Sequence, residues 1–141
     1  MNIPAVVERL AHRYPSLLVD AVTAHEPGRR ILAVKNVTVS EEFFQGHFPG
    51  MPLMPGVLMI EGAAQTATFL IKKVVGWEVT QFVGLGGLND VRFRGQVVPP
   101  ARVYFIAGPG NVSGRRLARF PAQAFCNGQM VMEMELLGVL L

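Results

Sequence analysis

The sequence predicts an α+β domain in which an antiparallel sheet of five to seven strands wraps around one long helix. Three observations support this fold class. An apolar stretch near the middle of the chain has helix signals at both ends, later segments alternate as strands do, and Asn127-Gly128 is the pair most typical of a two-residue hairpin turn. With 141 residues and no internal repeat or linker, the chain is expected to form a single domain over residues 1–141.

The long helix is predicted to run from Pro55 to Lys73. Pro55 suits a first helical turn because a proline there loses no hydrogen bond, and Lys72 and Lys73 suit the last turn, where they face the negative end of the helix dipole. Gly76 is expected to end the helix. Apolar residues occupy nearly every direction around the axis, which is typical of a buried helix.

A short helix over 4–10 and a hairpin of strands over 17–24 and 31–39 are predicted before the long helix. Ser40 is expected to cap a one-turn helix that leads into a loop containing His47. Beyond the long helix, strands are predicted over 82–88, 91–94, 101–107, 117–126 and 129–140.

Composition and net charge indicate which kinds of partner to expect. Half of the residues are hydrophobic and 16% are charged, so part of the apolar surface is expected to be covered by a second subunit. The net charge of +3 suits an acidic partner or an anionic substrate. Because the basic residues are dispersed and no recognition motif accompanies them, nucleic-acid binding is not expected.

The cysteine content and the hydropathy pattern indicate a compartment. Cys126 is the single cysteine, so no internal disulfide is expected, and no secretory signal opens the sequence, which makes the protein's expected location the cytoplasm. Glu61, Gln65 and two prolines interrupt the longest apolar stretch, so no membrane span is expected. The methionine-rich last strand is interpreted as core, and no metal site is expected.

Glu61 is the residue that the apolar helix explains least. With Gln65 and Thr68 it falls at i, i+4 and i+7, so the three share one stripe. Burial would raise the pKa of such a carboxyl, unless it pairs with a distant basic residue or reaches solvent at the helix edge. His47, in a loop rich in glycine and proline, and Gly56, at a helix start with free N–H groups, complete a candidate active site.

Several of these segments together resemble the FabZ-type (3R)-hydroxyacyl-[acyl-carrier-protein] dehydratases. The likeness runs from about residue 8 to the end and is densest over 33–65. The segments that carry it are Leu10-Ala11-His12-Arg13-Tyr14-Pro15, Gly46-His47-Phe48-Pro49-Gly50, Met54-Pro55-Gly56-Val57 and the pair Glu61 and Gln65. The resemblance implies a hot-dog fold, a homodimer that commonly forms a trimer of dimers, and a role in fatty acid biosynthesis.

The resemblance also implies roles for the candidate residues. His47 of one subunit would take the C2 proton of the substrate, and Glu61 of the other would protonate or hydrogen-bond the 3-hydroxyl. Gly56 and Val57, at the helix start, would bind the thioester oxygen, and Gln65 would orient Glu61 or a water. No cofactor is implied, since the phosphopantetheine group arrives on the acyl carrier protein.

The two other histidines and a set of arginines have a structural interpretation beside the functional one. His12 and His25 are expected to be structural or solvated rather than catalytic. Five arginines would dock the acidic carrier protein if they form a cluster, although each alone is more commonly a surface charge: Arg92, Arg94, Arg115, Arg116 and Arg119. The rival functions are a hot-dog acyl thioesterase and a specialised or non-catalytic hot-dog protein.

The chain also departs from the family at 83–86, where tyrosines usually precede the glycine that aligns with Gly87.

Overall fold

The computed structural model describes residues 3–75, 82–114 and 116–141. Two α-helices, α1 (Ile3–Arg9) and α2 (Gly56–Val75), and a short 3₁₀ helix (Glu42–Gln45) accompany the strands. The strands are β1 (Ala21–Glu26), β2 (Arg30–Val37), β3 (Val83–Phe93), β4 (Ala101–Ala107), β5 (Asn111–Ser113), β6 (Leu117–Cys126) and β7 (Gln129–Leu140). They form one seven-stranded sheet in the order β1-β2-β4-β6-β7-β3, with β5 on β6, and every pairing is antiparallel.

The helix α2 packs against the middle of this sheet, on β2, β4, β6 and β7. Ala63, Ala67 and Leu70 on its sheet-facing side have no exposed surface. Gly62 lets the helix approach β4 closely, because a Cβ at this position would lie 2.4 Å from the Phe105 ring. The predicted α+β architecture, with one long helix wrapped by an antiparallel sheet, is therefore confirmed.

The hairpin of β6 and β7 forms where Asn127-Gly128 predicts it. The two turn residues have φ values of +53° and +74°, as a type I′ turn requires, and Cys126 pairs with Gln129 on either side of them. This turn fixes the register between β6 and β7.

Some predicted boundaries are wrong, each for a local reason. The first strand begins at Ala21 rather than at residue 17, because the N–H of Leu18 bonds to the Gln65 side chain instead of to a strand. Glu41, not Ser40, precedes the 3₁₀ helix. The short strand β5 is missing from the prediction because its three residues are all exposed and show no alternation. Gly76 lies outside the described residues.

The strand β3 lies at an edge of the sheet and pairs with β7 alone. Leu85, Leu88 and Phe93 lie opposite the buried residues Gly138, Leu136 and Met132, so they share the helix-facing side of the sheet. They nevertheless stay 49%, 37% and 51% exposed in the single chain. This edge thus presents an apolar strip that α2 covers only in part.

Within the described ranges, no helix is both long enough and apolar enough to cross a membrane. Among the same residues, no group of three or more histidine, cysteine or acidic side chains is placed to hold a metal ion.

Candidate active site

Glu61 lies in the second turn of α2 with 37% of its side chain exposed. Its Oε1 accepts a hydrogen bond from Nε2 of Gln65 at 2.9 Å and lies 3.3 Å from Nε2 of His12. The contact with His12, followed by that with Gln65, lowers the pKa of the Glu61 carboxyl, and partial burial opposes this without reversing it. The expectation of a net raised pKa for Glu61 is therefore wrong, although burial does act in that direction.

Gln65 is almost completely buried and ties α2 to the segment before β1. Its Nε2 donates to the carbonyl oxygen of Ser16 at 2.7 Å, and its Oε1 accepts from the N–H of Leu18 at 2.9 Å. The same amide group also contacts Glu61, one turn earlier on the helix. The contact that an orienting role for Gln65 requires is thus present.

His12 comes from the segment between α1 and β1, and sequence reasoning missed it. It was expected to be structural or solvated, whereas its ring contacts the Glu61 carboxylate. The two residues are far apart in the chain, so no helical or strand spacing connects them. The one available signal is that His12 lies in the motif 10–15, which carries part of the resemblance.

A cavity of about 120 Å³ opens beside Glu61, between α2 and the strands β3 and β7. A second cavity of about 300 Å³ shares His12, Thr68 and Val83 with it. The first is lined by His12, Glu61, Ala64, Gln65, Thr68, Ile71, Val83, Gly84, Leu85, Leu136 and Gly138. The polar groups are those of the stripe predicted on α2 and His12, and the remaining walls are apolar, which suits an alkyl chain with a polar reacting end.

His47 lies in the loop that follows the 3₁₀ helix. Its Nδ1 is 2.6 Å from the carbonyl oxygen of Leu53, and its ring stacks on Phe48 with centroids 4.0 Å apart. A carbonyl oxygen can only accept, so Nδ1 carries the hydrogen and Nε2 keeps a lone pair in the neutral ring. The ring is therefore held in the tautomer that can take up a proton at Nε2.

The loop that carries His47 is anchored to β2 by a partly buried ion pair. Lys35, at 5% exposure, bonds to Oε1 of Glu41, and Oε2 of Glu41 accepts the N–H of Thr38 at 3.2 Å. The pair fixes the turn from which the 3₁₀ helix and the His47 loop continue.

The structure does not bring His47 into the cavity beside Glu61 of the same chain. The two predicted catalytic residues therefore do not share this cavity within one subunit.

The start of α2 provides the predicted backbone donors. The first intrahelical acceptor is the carbonyl oxygen of Pro55, which the N–H groups of Leu58 and Met59 contact, so the N–H groups of Gly56 and Val57 precede the helical ladder. The ring of Phe93 lies where a side chain at Gly56 would begin, 2.7 Å from the place that a Cβ would take. Val57 is 69% exposed. Glycine here allows the Phe93 ring to pack directly on the helix start.

The four described arginines among those suggested for docking are each engaged in a contact. Arg94 pairs with Glu133 at 3.1 Å, and Arg119 lies 3.6 Å from Glu135. Arg116 donates to the carbonyl oxygen of Leu140 at 2.9 Å. Arg92 donates to its neighbour's carbonyl oxygen, and Arg115 lies outside the described residues. The acidic partners offset part of the positive charge that the sequence pattern indicates.

Comparison with known proteins identifies the family. The model of the FabA-like domain matches residues 10–135. A 3-hydroxyacyl-[acyl-carrier-protein] dehydratase FabZ from Aromatoleum aromaticum is 42% identical over 138 residues, which are 96% of this chain and 94% of the relative. The FabZ of Thiobacillus denitrificans is 42% identical over 142 residues, covering 99% of this chain and 97% of the relative.

Solved structures show the same fold at low sequence identity. The dehydratase heterocomplex ApeI:P from Xenorhabdus doucetiae superposes with a TM-score of 0.75 at 18% identity, over 96% of this chain and 90% of that one. A mutant thioesterase from Pseudomonas aeruginosa gives a TM-score of 0.63 at 13% identity, over 87% of this chain and 82% of that one. The fold is thus shared with thioesterases, and the sequence relatives distinguish the two classes. The chain belongs to the FabA-like family and, within it, to the FabZ-type 3-hydroxyacyl-[acyl-carrier-protein] dehydratases.

Proposed function

We propose that this chain dehydrates (3R)-hydroxyacyl-[acyl-carrier-protein] to the trans-2-enoyl product in fatty acid biosynthesis, the hydro-lyase reaction for which its family is named. The observation that supports it most directly is the bond from Nδ1 of His47 to Leu53, which leaves Nε2 as an available base. Glu61, beside a cavity with both polar and apolar walls, supplies the second polar group that the elimination needs.

The elimination breaks two bonds of the substrate and forms one. Nε2 of His47 takes the C2 proton, the C2–H electron pair forms the C2–C3 double bond, and the C3–O bond breaks. The hydroxyl leaves as water with a proton delivered by Glu61. The lowered pKa means that Glu61 is ionised in the open single chain, so the carboxyl must first take up this proton from solvent, as substrate and a second subunit close the site and disfavour the charged form. After the elimination, the proton on Nε2 of His47 returns to solvent.

Charge that develops on the thioester oxygen needs donors. The N–H groups of Gly56 and Val57, at the positive end of the α2 dipole, fit this role. One such donor is typically worth about 3 kcal/mol of transition-state stabilisation.

The proposed site is shared between two subunits that join along β3. Two observations support this arrangement: the apolar edge strip of Leu85, Leu88 and Phe93 is partly exposed in the single chain, and His47 does not line the Glu61 cavity of its own chain. Joining two β3 edges pairs the free strands and covers the strip. A homodimer, assembled further as a trimer of dimers, is the proposed state.

The acyl carrier protein is the proposed partner, and it brings the phosphopantetheine group with the substrate. Arg92, Arg94, Arg115, Arg116 and Arg119 remain the proposed docking residues, with part of their charge offset by glutamates. The proposed steps use side chains and backbone amides only, so no cofactor is included. The proposed compartment is the cytoplasm.

The activity is tested by following two products from a 3-hydroxyacyl carrier-protein substrate. The proposal expects enoyl thioester without release of free thiol. Thiol release would indicate a thioesterase, and neither product would indicate a non-catalytic protein. His47→Ala and Glu61→Gln are each expected to abolish turnover while the oligomer persists.

Mixing these two inactive variants tests whether the site is shared. After subunit exchange, half of the dimers contain one subunit of each kind, and one of their two sites then has both native residues. About a quarter of the wild-type activity is therefore expected to return. No recovery after confirmed exchange would place both residues of each site in the same chain, and would contradict the shared site.

A further inference from the structure

The contact between His12 and Glu61 is not used by the proposed mechanism. His12 is held in place by its own neighbour, because Nη1 of Arg13 donates to the carbonyl oxygens of Leu10 and His12, each at 2.7 Å. Its side chain is 30% exposed. The imidazole is thus presented to Glu61 by an anchored backbone.

The proton arrangement of the pair follows from the chemistry of its atoms. The Glu61 carboxylate can only accept, so Nε2 of His12 donates and carries the hydrogen in the neutral ring. Nδ1 of His12 is buried and has no hydrogen-bond partner among the residues that the structure describes. A lone pair is less costly to bury at this position than an N–H group without an acceptor, so the neutral tautomer of His12 carries its hydrogen on Nε2.

Both donors reach the same oxygen of Glu61. Nε2 of His12 and Nε2 of Gln65 contact Oε1, and in the described part of the chain no donor contacts Oε2. The two contacts to Oε1 therefore hold the carboxylate in place, and Oε2 stays available to a group of the substrate. The two donors come from different segments, and Gln65 also binds those segments together through Ser16 and Leu18.

We propose that His12 is a positioning residue of the dehydration site, which holds Oε1 of Glu61 through Nε2–H so that Oε2 meets the 3-hydroxyl of the substrate. This inference rests on the proposed function. It assigns to the segment before β1 a part in the chemistry, through Glu61 and without contact to the reacting carbons.

No other titratable group lines the Glu61 cavity in the described ranges. The cavity walls from β3 and β7 contribute Val83, Gly84, Leu85, Leu136 and Gly138, and α2 contributes Gln65 and Thr68 as polar groups. Lys72 lines the neighbouring cavity. His12 has the largest effect among the causes that lower the pKa of Glu61. Removing the imidazole is therefore expected to raise that pKa.

The experiment compares His12→Ala, His12→Gln and His25→Gln in the full-length protein. The carboxyl carbons of glutamate are labelled with ¹³C, Glu61 is assigned by its absence in Glu61→Gln, and its titration is followed by NMR. His12→Ala is expected to raise the pKa of Glu61 and to lower kcat by roughly 10-fold to 100-fold with little change in KM. His12→Gln keeps an N–H donor and is expected to recover part of kcat. His25→Gln, on β1 away from the cavity, is expected to change neither.

The inference is overturned if the Glu61 titration or kcat is unchanged in His12→Ala, or if His12→Gln recovers nothing in a protein that is folded by circular dichroism. The titration does not depend on turnover. An inactive wild-type protein would therefore contradict the proposed function, whereas an unchanged Glu61 titration in an active enzyme would contradict the role of His12 alone.

Discussion

At the level of single residues, Gln65 connects parts of the chain that are distant in sequence. Its side chain is 1% exposed and bonds to Ser16, Leu18 and Glu61. A buried amide with all of these partners positions the carboxylate and also replaces the strand pairing that Leu18 lacks. The same side chain thus contributes both to stability and to the geometry of the site.

Gln65→Leu is expected to lower the free energy of unfolding by about 2 kcal/mol, because the buried N–H of Leu18 loses its acceptor. It is also expected to raise the pKa of Glu61, since a hydrogen bond that favours the carboxylate is lost. Chemical denaturation measures the first effect. Gln129→Leu, at an exposed position, is the matched control, and an equal loss of stability in the two variants would contradict the assigned role.

The lowered pKa of Glu61 predicts how its contribution to stability depends on pH. A carboxyl with a folded-state pKa below the ordinary 4.5 stabilises the folded protein above that value and loses the contribution as the pH falls through the folded-state pKa. Wild-type protein is therefore expected to lose more stability than Glu61→Gln between neutral pH and the acid range below 4.5. Thermal unfolding across this range measures the difference. Parallel curves for the two proteins would show that the pKa is not lowered by folding.

At the level of elements, the contact between α2 and β4 depends on Gly62. The Phe105 ring occupies the space of the missing side chain, and Phe105 has no exposed surface. A glycine in a helix interior is unfavourable by itself, so its presence here is explained by the close approach that it permits. Because Glu61 directly precedes Gly62, the distance between α2 and β4 also affects where Glu61 lies in the site.

Gly62→Ala is expected to destabilise the protein by about 2 kcal/mol, because the added methyl group forces the helix or the Phe105 ring to move in a packed core. Gly46→Ala is the control, since nothing lies within 4 Å of a Cβ there and its φ of −109° suits alanine. Denaturant titration measures both variants. An alanine at position 62 that is tolerated as well as one at position 46 would contradict the packing argument.

At the level of the whole molecule, the apolar edge strip on β3 predicts self-association. An edge strand with half-exposed leucine and phenylalanine side chains is unusual for a chain that stays monomeric. Wild-type protein is expected to have a mass of two or six times 15.4 kDa in solution.

Leu88→Lys is expected to shift the assembly toward monomers, because it places a charge in the joined edges. Val112→Lys is the matched control, since Val112 is 39% exposed and Leu88 is 37% exposed, and it is expected to leave the mass unchanged. Light scattering after size-exclusion chromatography measures both. A monomeric wild-type protein, or equal dissociation of the two variants, would contradict association through β3.

The local parts of the fold could be predicted from the sequence. Periodicity identified the long helix and the strands over 101–107, 117–126 and 129–140, and Asn127-Gly128 located their hairpin, because these signals depend on neighbours in the chain. The stripe of Glu61, Gln65 and Thr68 followed from helical spacing and does line one cavity. The motif resemblance predicted the family, which the relatives confirm.

The contacts of those residues depend on how distant segments pack. The sequence pattern placed Glu61 on an apolar helix but did not identify a partner for its carboxylate. In the folded chain that partner is His12, from a segment far away in the sequence. That contact reversed the expected direction of the Glu61 pKa shift, because a donor close to a carboxylate outweighs partial desolvation. Spacing along a chain fixes which side chains share a face, whereas the electrostatic environment of a group depends on which distant segments fold against it.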